Sequence, residues 1–375
     1  MIEEKYSKGA VRMNPAVHID LKKLRTNIEF LTEKIRAHNL SITHVTKAYS
    51  ADPEIIKVFE DYPEIEYLGD SRIENLKSYA LSSKKKILIR IPMISEAQGV
   101  VKYADISFNS ELTTIQALNE AAKAQGLVHQ ILLMVDLGDL REGYFKKDEL
   151  FQDVKVITET LPHIQVIGLG VNLTCYGAII PEHDILKKLV DYKEALEASF
   201  PVQLTMISGG NSSSLYLLDH PTEHLPQGIN NLRIGESYLL GRETAFEQDF
   251  NEMFQNVFTL RAEIVELKTK PSFPIGNIGV DAFGNKPFYE DKGPMKRGIV
   301  AIGKQDIHVD SLTPIDPSIQ ILGASSDHLI LDLTHSPAPY QVGDTIEFNL
   351  SYGGVLSAFT SKYVKKVYHP TPLPI

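Results

Sequence analysis

The 375-residue sequence predicts an α/β fold, in which an N-terminal (β/α)₈ barrel of the TIM type precedes a mostly β C-terminal domain. Three observations support this prediction: apolar strand-like runs at fairly even spacing, helical patterns between them, and a change of pattern near residue 245. A chain of this length is also too long for one small core, so two domains are expected.

Eight strand-like runs precede residue 245. Several are nearly continuous in Ile, Val and Leu, which is typical of parallel strands buried on both faces. In order, the runs are THVTKAY, EIEYLGD, KKILIRIP, ADISFN, HQILLMVDLG, IQVIGLGVNL, QLTMISGG and NLRIGE. Strands and helices that alternate about eight times favour a closed barrel, and an open doubly wound sheet is the alternative.

Helical patterns fill the intervals between these runs. The first interval is predicted to hold a helix with Asp52 at the N-cap and Pro53 at the first helical position. Ser110 is the predicted N-cap of the helix in SELTTIQALNEAAKAQG. The Lys84-Lys85-Lys86 run is predicted to be a solvated loop before the third barrel strand.

After about residue 245, short β-rich runs separated by Gly, Pro and Asp replace the helical periodicity. The turn spacing predicts a mostly antiparallel β domain of about 130 residues. We therefore assign residues 1–245 to the barrel and residues 246–375 to the C-terminal domain. Residues 13–20 precede the first barrel strand and are a candidate strand for pairing with the C-terminal domain.

Composition restricts the class of protein. The net charge of −10 argues against nucleic acid or an anionic membrane as a partner. The single cysteine, Cys175, excludes an intrachain disulfide and a multi-cysteine zinc site, and the histidines show no metal-ligand spacing. The sequence shows neither the apolar core of a signal peptide nor a run as long as a membrane span. We therefore expect a soluble, cytoplasmic protein without a bound metal.

Polar residues follow the predicted barrel strands, at the rim where such barrels carry their active sites. Lys47 ends the first strand. A buried lysine has a lowered pKa, and its neutral amine can form a Schiff base; an ammonium that extends into solvent is the alternative. The other strand-end residues are Asp70, Arg90, Asn109, Asp136 with Arg141, Asn172, Ser208 and Arg233.

The segment SGGNSSS, residues 208–214, follows the seventh strand. Its glycines permit close approach of the backbone, and its polar residues begin a helix whose free N–H groups favour an anion. A capped loop with positive φ is the alternative, but a phosphate site after strands seven and eight recurs in such barrels. A strand-end lysine and a phosphate site at one rim together indicate pyridoxal phosphate.

The sequence resembles fold-type III pyridoxal-phosphate enzymes of the alanine racemase class, and within it the ornithine racemase branch. The matching stretches cover nearly the whole chain: YADISFNSEL, MVDLGDLREGYF, GVNLTCYGA, SGGNSSS, RIGESYLLGRET, GVDAFGNKPFYEDKG, GASSDHLILD and FTSKYVKKVY. The resemblance implies an isomerase that racemises a basic amino acid by removal and return of the α-proton. Ornithine is the first expected substrate, followed by lysine or histidine.

The resemblance also implies roles for individual residues. Lys47 is similar to the Schiff-base lysine, and Arg233 to the arginine that pairs with the pyridine nitrogen. An arginine keeps its proton there, which favours racemisation over transamination. Arg141 is implied to face the ring hydroxyl. The remaining implied cofactor contacts are Asn172, Ser208, Gly210, Asn211, Ser212, Gly235, Glu236 and Tyr352.

The sequence departs from alanine racemase at the second base. The segment AIGKQD stands where that enzyme has GYxDGY, so its catalytic tyrosine is absent, and the carbamylated lysine of some members would fall near Met134. Racemisation needs an acid opposite Lys47. The candidates are Cys175, Asp281, Asp327 and His328.

These four candidates carry different expectations. A lone cysteine beside a strand end is typically a small buried hydrophobe. Asp327 and His328 lie in GASSDHL, where the class places partner-subunit residues; a polar turn is the alternative. The resemblance therefore implies a homodimer whose partner subunit completes the active site, with Asp327 as a catalytic residue. Asp281 is also a candidate contact for a cationic substrate side chain.

Two other functions stay open. A decarboxylase of the same fold is the first, because GASSD loosely resembles a CESSD-like segment, although serine replaces its cysteine. A non-catalytic pyridoxal-phosphate carrier is the second. Such carriers end after the barrel, so the C-terminal domain argues against it.

Overall fold

The structure, a computed structural model, describes residues 14–370. These residues form two compact units, one comprising Leu21–Val257 and the other comprising residues 14–20 and 258–370. The N-terminal strand β1, Ala16–Asp20, belongs to the second unit. Residue 13 lies outside the described residues. No helix of the described chain is both long and apolar enough to cross a membrane.

The first unit contains a closed barrel of eight parallel strands, so the barrel prediction is confirmed over the open sheet. Each strand pairs with the next, and the last pairs with the first through Ser41 and Asn231. After helix α1 (Leu21–Arg36), the strands are β2 (Ser41–Val45), β3 (Tyr67–Asp70), β4 (Lys85–Leu88), β5 (Ile106–Asn109), β6 (His129–Val135), β7 (Ile164–Val171), β8 (Met206–Ser208) and β9 (Asn231–Ile234).

Helices follow most of the barrel strands. They are α2 (Pro53–Glu60), α3 (Ile73–Ser78), α4 (Ala97–Tyr103), α5 (Leu112–Gln125), α6 (Lys147–Thr160), α7 (His183–Ser199) and α8 (Glu236–Leu240). Short 3₁₀ helices occupy Lys47–Tyr49 after β2 and Ser212–Leu218 after β8. Apolar side chains from β4 to β8, including Phe108 and Met134, fill the barrel interior, as expected for strands that are buried on both faces.

The two predicted N-caps have different outcomes. Asp52 is confirmed, because its carboxylate accepts the backbone N–H groups of Glu54 (3.1 Å) and Ile55 (3.3 Å). Ser110 is wrong as an N-cap. The cap position belongs to Glu111 and α5 begins at Leu112, one residue later than the serine would require.

The lysine run before β4 is not a solvated loop, so that prediction is wrong. Lys85 begins the strand, and the Lys84 side chain is only 8% exposed. Its ammonium donates to the carbonyl oxygens of Tyr62 and Ile65, both at 2.7 Å. These carbonyls lie in the turn between α2 and β3, so the lysine stabilises a connection that is distant in sequence.

We expect Lys84→Met to lower the free energy of unfolding by about 1–3 kcal/mol, because two buried carbonyl oxygens lose a charged donor. Lys85→Met is the matched control; its side chain is exposed, and we expect a change within about 0.5 kcal/mol. Urea unfolding of both variants measures the difference. Equal effects would contradict a structural role for Lys84.

The second unit is mostly antiparallel β, as predicted. Its strands are β10 (Phe258–Pro271), β11 (Pro294–Val300), β12 (Leu312–Pro314), β13 (Gln320–Ala324), β14 (Leu329–Asp332), β15 (Thr345–Leu350) and β16 (Lys365–His369), with helix α9 (Tyr352–Thr360) between the last two. Six of them form a sheet in the order β12-β15-β10-β11-β14-β13. Strand β1 pairs antiparallel with β10 and parallel with β16, as expected for this segment.

The first unit extends beyond the predicted boundary at residue 245, to Val257. Residues 246–257 contact α1: the Asn27 side chain accepts the N–H of Phe254 at 2.7 Å and donates to its carbonyl oxygen at 2.8 Å. The buried Asn27 is therefore one of the residues that hold this segment to the barrel unit. The limits of the two domains as independent folding units stay a prediction.

Candidate active site

Most of the predicted site residues lie at the carboxyl ends of the barrel strands. Lys47 begins the 3₁₀ helix after β2, Asn172 directly follows β7, and Arg233 lies next to the end of β9. Four of the predicted residues lie at the end of β8 or just after it: Ser208, Gly210, Asn211 and Ser212. Gly235 and Glu236 follow β9. The closed barrel therefore brings these residues to one rim.

Lys47 is half-buried, and its ammonium makes no hydrogen bond or ion pair with any residue in the described part of the chain. Its turn is held by His44 and Tyr49. Burial lowers the pKa of His44 to about 3, so the ring is neutral. Its Nδ1–H donates to the Ile234 carbonyl oxygen at 3.2 Å, which leaves Nε2 to accept the Tyr49 hydroxyl at 2.7 Å. These bonds tie the lysine-bearing turn to β2 and β9.

Arg233 is a buried cation that joins three strand ends. Its guanidinium donates to the Ser208 hydroxyl at 2.7 Å and to the Val171 carbonyl oxygen at 2.6 Å, and it lies 5.1 Å from the Phe108 ring centroid. Burial lowers its pKa to about 10, so it stays charged at neutral pH. The Ser208 hydroxyl donates in turn to Asn231 at 2.7 Å, so Ser208 positions Arg233.

The segment after β8 has the features of an anion site. Gly210 has φ +117°, and a Cβ at this position would lie 2.4 Å from the Ser214 hydroxyl, so a glycine is required. Asn211 is the N-cap of the 3₁₀ helix and accepts the Ser213 N–H at 2.8 Å. The Ser212 hydroxyl accepts the Ser237 N–H at 3.3 Å, which connects this segment to the start of α8.

Two buried hydroxyls in these segments, those of Ser213 and Ser237, have no hydrogen-bond partner among residues 14–370. Buried polar groups are normally bonded, so unpaired donors beside a glycine turn and two helix starts suit an anionic group such as a phosphate. Burial raises the pKa of the neighbouring Glu236 to about 7, with Lys47 among the groups that oppose this rise. That carboxyl therefore keeps its proton far more readily than an ordinary glutamate.

Cys175 is exposed, so the interpretation as a buried hydrophobe is wrong. Its Sγ lies 3.5 Å from Asn172 Oδ1 and 3.4 Å from Asn211 Nδ2. Asn211 also donates to Asn172 Oδ1 at 3.2 Å. The thiol is therefore part of a polar cluster with two predicted cofactor contacts, because the loop after β7 projects towards the rim.

Asp139, which the sequence analysis did not single out, holds this loop. Its side chain is 1% exposed and accepts the N–H groups of Tyr176 (3.0 Å), Gly177 (3.1 Å) and Ile179 (3.4 Å). A Cβ on Gly177 would lie 2.8 Å from the Asp139 carbonyl oxygen, so the two loops approach closely. The second aspartate of MVDLGDLREGYF was the available signal, but its partners are about 40 residues away.

Arg141 lies in the same loop as Asp139. Its guanidinium donates to Glu142, with Nη2 2.6 Å from Oε1. This bond raises the pKa of Arg141 above its usual value. Arg141 is exposed and therefore accessible at the rim.

The other predicted residues belong to the second unit. Asp281 lies in an exposed turn and accepts the N–H groups of Asn285 (2.8 Å) and Phe283 (2.9 Å), of which the Asn285 bond does most to lower its pKa. Asp327 accepts the Ser326 hydroxyl at 2.8 Å. His328 is exposed, and Tyr352 is the first residue of α9. Their roles stay predictions.

Comparison with known proteins identifies the family. Residues 19–241 match the family described as "Alanine racemase, N-terminal domain". The chain is 52% identical to an ornithine racemase of Acetoanaerobium sticklandii, covering 94% of this chain and 99% of that protein. It is 36% identical to a lysine racemase of Thermotoga maritima, covering 95% and 99%.

A solved structure supports the same fold. Alanine racemase from Bartonella henselae, described with covalently bound pyridoxal phosphate, aligns with a TM-score of 0.67 at 15% identity over 94% of this chain and 99% of that one. Together with the barrel and its rim, these matches define an amino-acid racemase, an isomerase. The chain belongs to the alanine racemase family.

We expect Asp139→Asn to lower the free energy of unfolding by about 1–3 kcal/mol, because an amide NH₂ group would face a backbone N–H that now donates to a carboxylate. Asp184→Asn, on the exposed start of α7, is the control and should change stability by no more than about 0.5 kcal/mol. Calorimetry compares the two variants. If both lower Tm equally, Asp139 does not hold the loop.

Glu236 should make stability depend on pH. Its folded-state pKa is about 7 and its ordinary value is 4.5, so between these values the unfolded state loses the proton first. Stability therefore falls as pH rises from 5 to 8, and Glu236→Gln should remove this contribution. Urea unfolding of both proteins at the two pH values measures it. A wild-type-minus-variant difference that is independent of pH would contradict the prediction.

Proposed function

We propose that this chain is a pyridoxal-phosphate-dependent ornithine racemase that interconverts the L and D enantiomers, with lysine and then histidine as the next substrates to consider. One observation carries the proposal: the rim combines a buried arginine with a lysine ammonium and a cluster of serine hydroxyls that have no partner among the described residues 14–370. The 52% identity to an ornithine racemase, against 36% to a lysine racemase, supports ornithine as the first choice.

The residues at the rim fit pyridoxal phosphate, which when bound supplies an electron sink for the substrate's α-carbon. The hydroxyls of Ser213 and Ser237, which have no partner in the described part of the chain, suit the phosphate. The turn at Gly210 and the N-cap position of Gly235, directly before α8, suit it as well. Ser212, Asn211 and Glu236 complete that segment, with Tyr352 of α9 as a further proposed phosphate contact.

Lys47 and Arg233 are the two residues that we propose to take part in the reaction on the side of the cofactor ring. The Lys47 amine is the group we assign to hold the cofactor aldehyde and to remove or return the α-proton on its face. Arg233 keeps its proton, because its guanidinium is shared between Ser208 and the Val171 carbonyl oxygen. It would therefore not give a proton to the ring nitrogen of a bound cofactor, which would favour return of the α-proton over transamination. Asn172 and Arg141 are the proposed neighbours of the ring.

We also propose that the protein forms a homodimer and is located in the cytoplasm. The loop between β10 and β11 exposes large apolar side chains, including Ile275 (92%) and Phe288 (92%), which is typical of surfaces that meet a partner. A second copy would bring Asp327 and His328 to the active site, and Asp281 would contact the cationic substrate side chain. A single cysteine in the sequence is consistent with a reducing compartment.

Proton NMR in D₂O tests the proposed function. The holoenzyme is incubated separately with L-ornithine, L-lysine, L-histidine and L-alanine, and we expect the fastest loss of the α-proton signal, with formation of the D enantiomer, for ornithine. Lys47→Ala should slow exchange by about 10²–10⁴-fold or more. Lys57→Ala, on the exposed face of α2, is the control and should exchange at the wild-type rate.

The outcome distinguishes the other functions. Exchange without inversion, or loss of carbon dioxide, would favour a decarboxylase of the same fold. No exchange with any of the four amino acids, in a protein that binds the cofactor, would favour a carrier and contradict the proposal.

A further inference from the structure

Cys175 and Lys47 follow well-separated strands at the same rim of the barrel. Cys175 follows β7, whereas Lys47 follows β2, and three strand-to-strand steps through β8 and β9 separate them in the closed ring of eight. Two-base racemisation needs proton-transfer groups on opposite faces of the α-carbon. A substrate bound at this rim would therefore have Lys47 on one side and the loop of Cys175 on the other.

The surroundings of the thiol belong to the proposed site. Its Sγ contacts Asn172 and Asn211, at 3.5 and 3.4 Å. Burial has the largest effect on the pKa of Arg233 and lowers it, and the Glu142 hydrogen bond has the largest effect on the pKa of Arg141 and raises it. Cys175 is a smaller influence that raises both pKa values. Cys175 is thus among the groups close enough to act on both arginines of the proposed site.

An independent observation indicates that a ligand group belongs here. Asn172 is only 8% exposed, and its Nδ2 has no hydrogen-bond partner within the described range 14–370. The Oδ1 of the same amide is occupied by Asn211 and the thiol. A buried, unpaired donor beside the thiol is costly unless a bound molecule accepts its hydrogen bond.

The loop is also built to hold the thiol in place. Thr174, directly before Cys175, has φ +72°, which is unusual for a β-branched residue, and its hydroxyl donates to the Ile179 carbonyl oxygen at 2.9 Å. The three N–H bonds to Asp139 fix the other end of the turn. Such restraint is what a proton-transfer group requires.

Two of the competing candidates, Asp281 and Asp327, are hydrogen-bonded within their own turns. The Asp281 carboxylate is bonded to the Asn285 and Phe283 amides, and Asp327 accepts the Ser326 hydroxyl. Cys175 is the one candidate of the four that belongs to the barrel unit itself.

We propose that Cys175 is the second proton-transfer group of the racemase, acting on the face of the α-carbon opposite Lys47; this inference rests on the proposed function. In one direction the α-C–H bond breaks to the Lys47 amine, and the α-carbon keeps the electron pair until it takes the thiol proton. In the other direction the Cys175 thiolate removes the α-proton and the Lys47 ammonium supplies the new one. Exchange of protons with water restores both groups, and no oxidant or reductant is consumed.

The test follows each ornithine enantiomer separately in D₂O, by proton NMR and chiral analysis, in the holoenzyme and its variants. Cys175→Ala should racemise about 10²–10⁴-fold more slowly. One enantiomer should still exchange its α-proton through Lys47 and keep its configuration, whereas the other should not exchange. Tyr176→Phe, which removes the hydroxyl of the neighbouring side chain, is the control and should behave as wild type.

Alkylation supplies a second readout, because Cys175 is the sole cysteine of the sequence. Ornithine should slow iodoacetamide modification of the wild-type holoenzyme, followed by intact mass, and Cys175→Ser should not be modified. Racemisation at the wild-type rate by Cys175→Ala would overturn the inference. Exchange of the α-proton of only one enantiomer by an Asp327→Ala, His328→Ala double variant, and not by Cys175→Ala, would overturn it as well. Absence of exchange in the wild type itself would instead refute the proposed function.

Discussion

The rim of the barrel depends on one buried cation held between three strand ends. Arg233 of β9 donates to Ser208 at the end of β8 and to the Val171 carbonyl oxygen at the end of β7, with the Phe108 ring beside it. A guanidinium buried without acceptors would cost several kcal/mol of free energy, so these groups must stay in place. The positions of three consecutive strand ends are thereby coupled through one side chain.

The segments that follow these strands carry the proposed function. Asn172 follows β7, Asn211 and Ser212 follow β8, and Gly235 follows β9. Asp139 has a corresponding role in the loop after β7. Its carboxylate accepts hydrogen bonds from three backbone N–H groups and so holds the loop that contains Cys175. Two buried side chains, one basic and one acidic, therefore organise the strand ends and the loop after β7, and the donors left without a partner among residues 14–370 are available to a ligand.

Local and distant interactions explain which predictions hold. Asp52 bonds to amides two and three residues away, so its role as an N-cap is visible in the sequence. The Lys84 ammonium donates to carbonyl oxygens 22 and 19 residues away. These partners are not visible in the local sequence, so a run of three lysines there predicts a solvated loop. Cys175 is exposed because Asp139, 36 residues earlier, anchors its loop. The exposure of a polar or thiol group depends on partners that short-range patterns do not contain.

The sequence by itself determined the eight-strand barrel, the β-rich second unit and the set of polar residues at the rim. Apolar periodicity and the residues at strand ends are local properties, and parallel strands necessarily gather their carboxyl ends on one side. Only the tertiary structure decided how those polar residues are used. It bonds Ser208 to Arg233 and exposes Cys175 beside Asn172. Within residues 14–370 it leaves the hydroxyls of Ser213 and Ser237 and the Nδ2 of Asn172 without a hydrogen-bond partner. The physical reason is that hydrogen-bond partners of buried groups come from different strands, which only the closed barrel brings within 3 Å or so of one another.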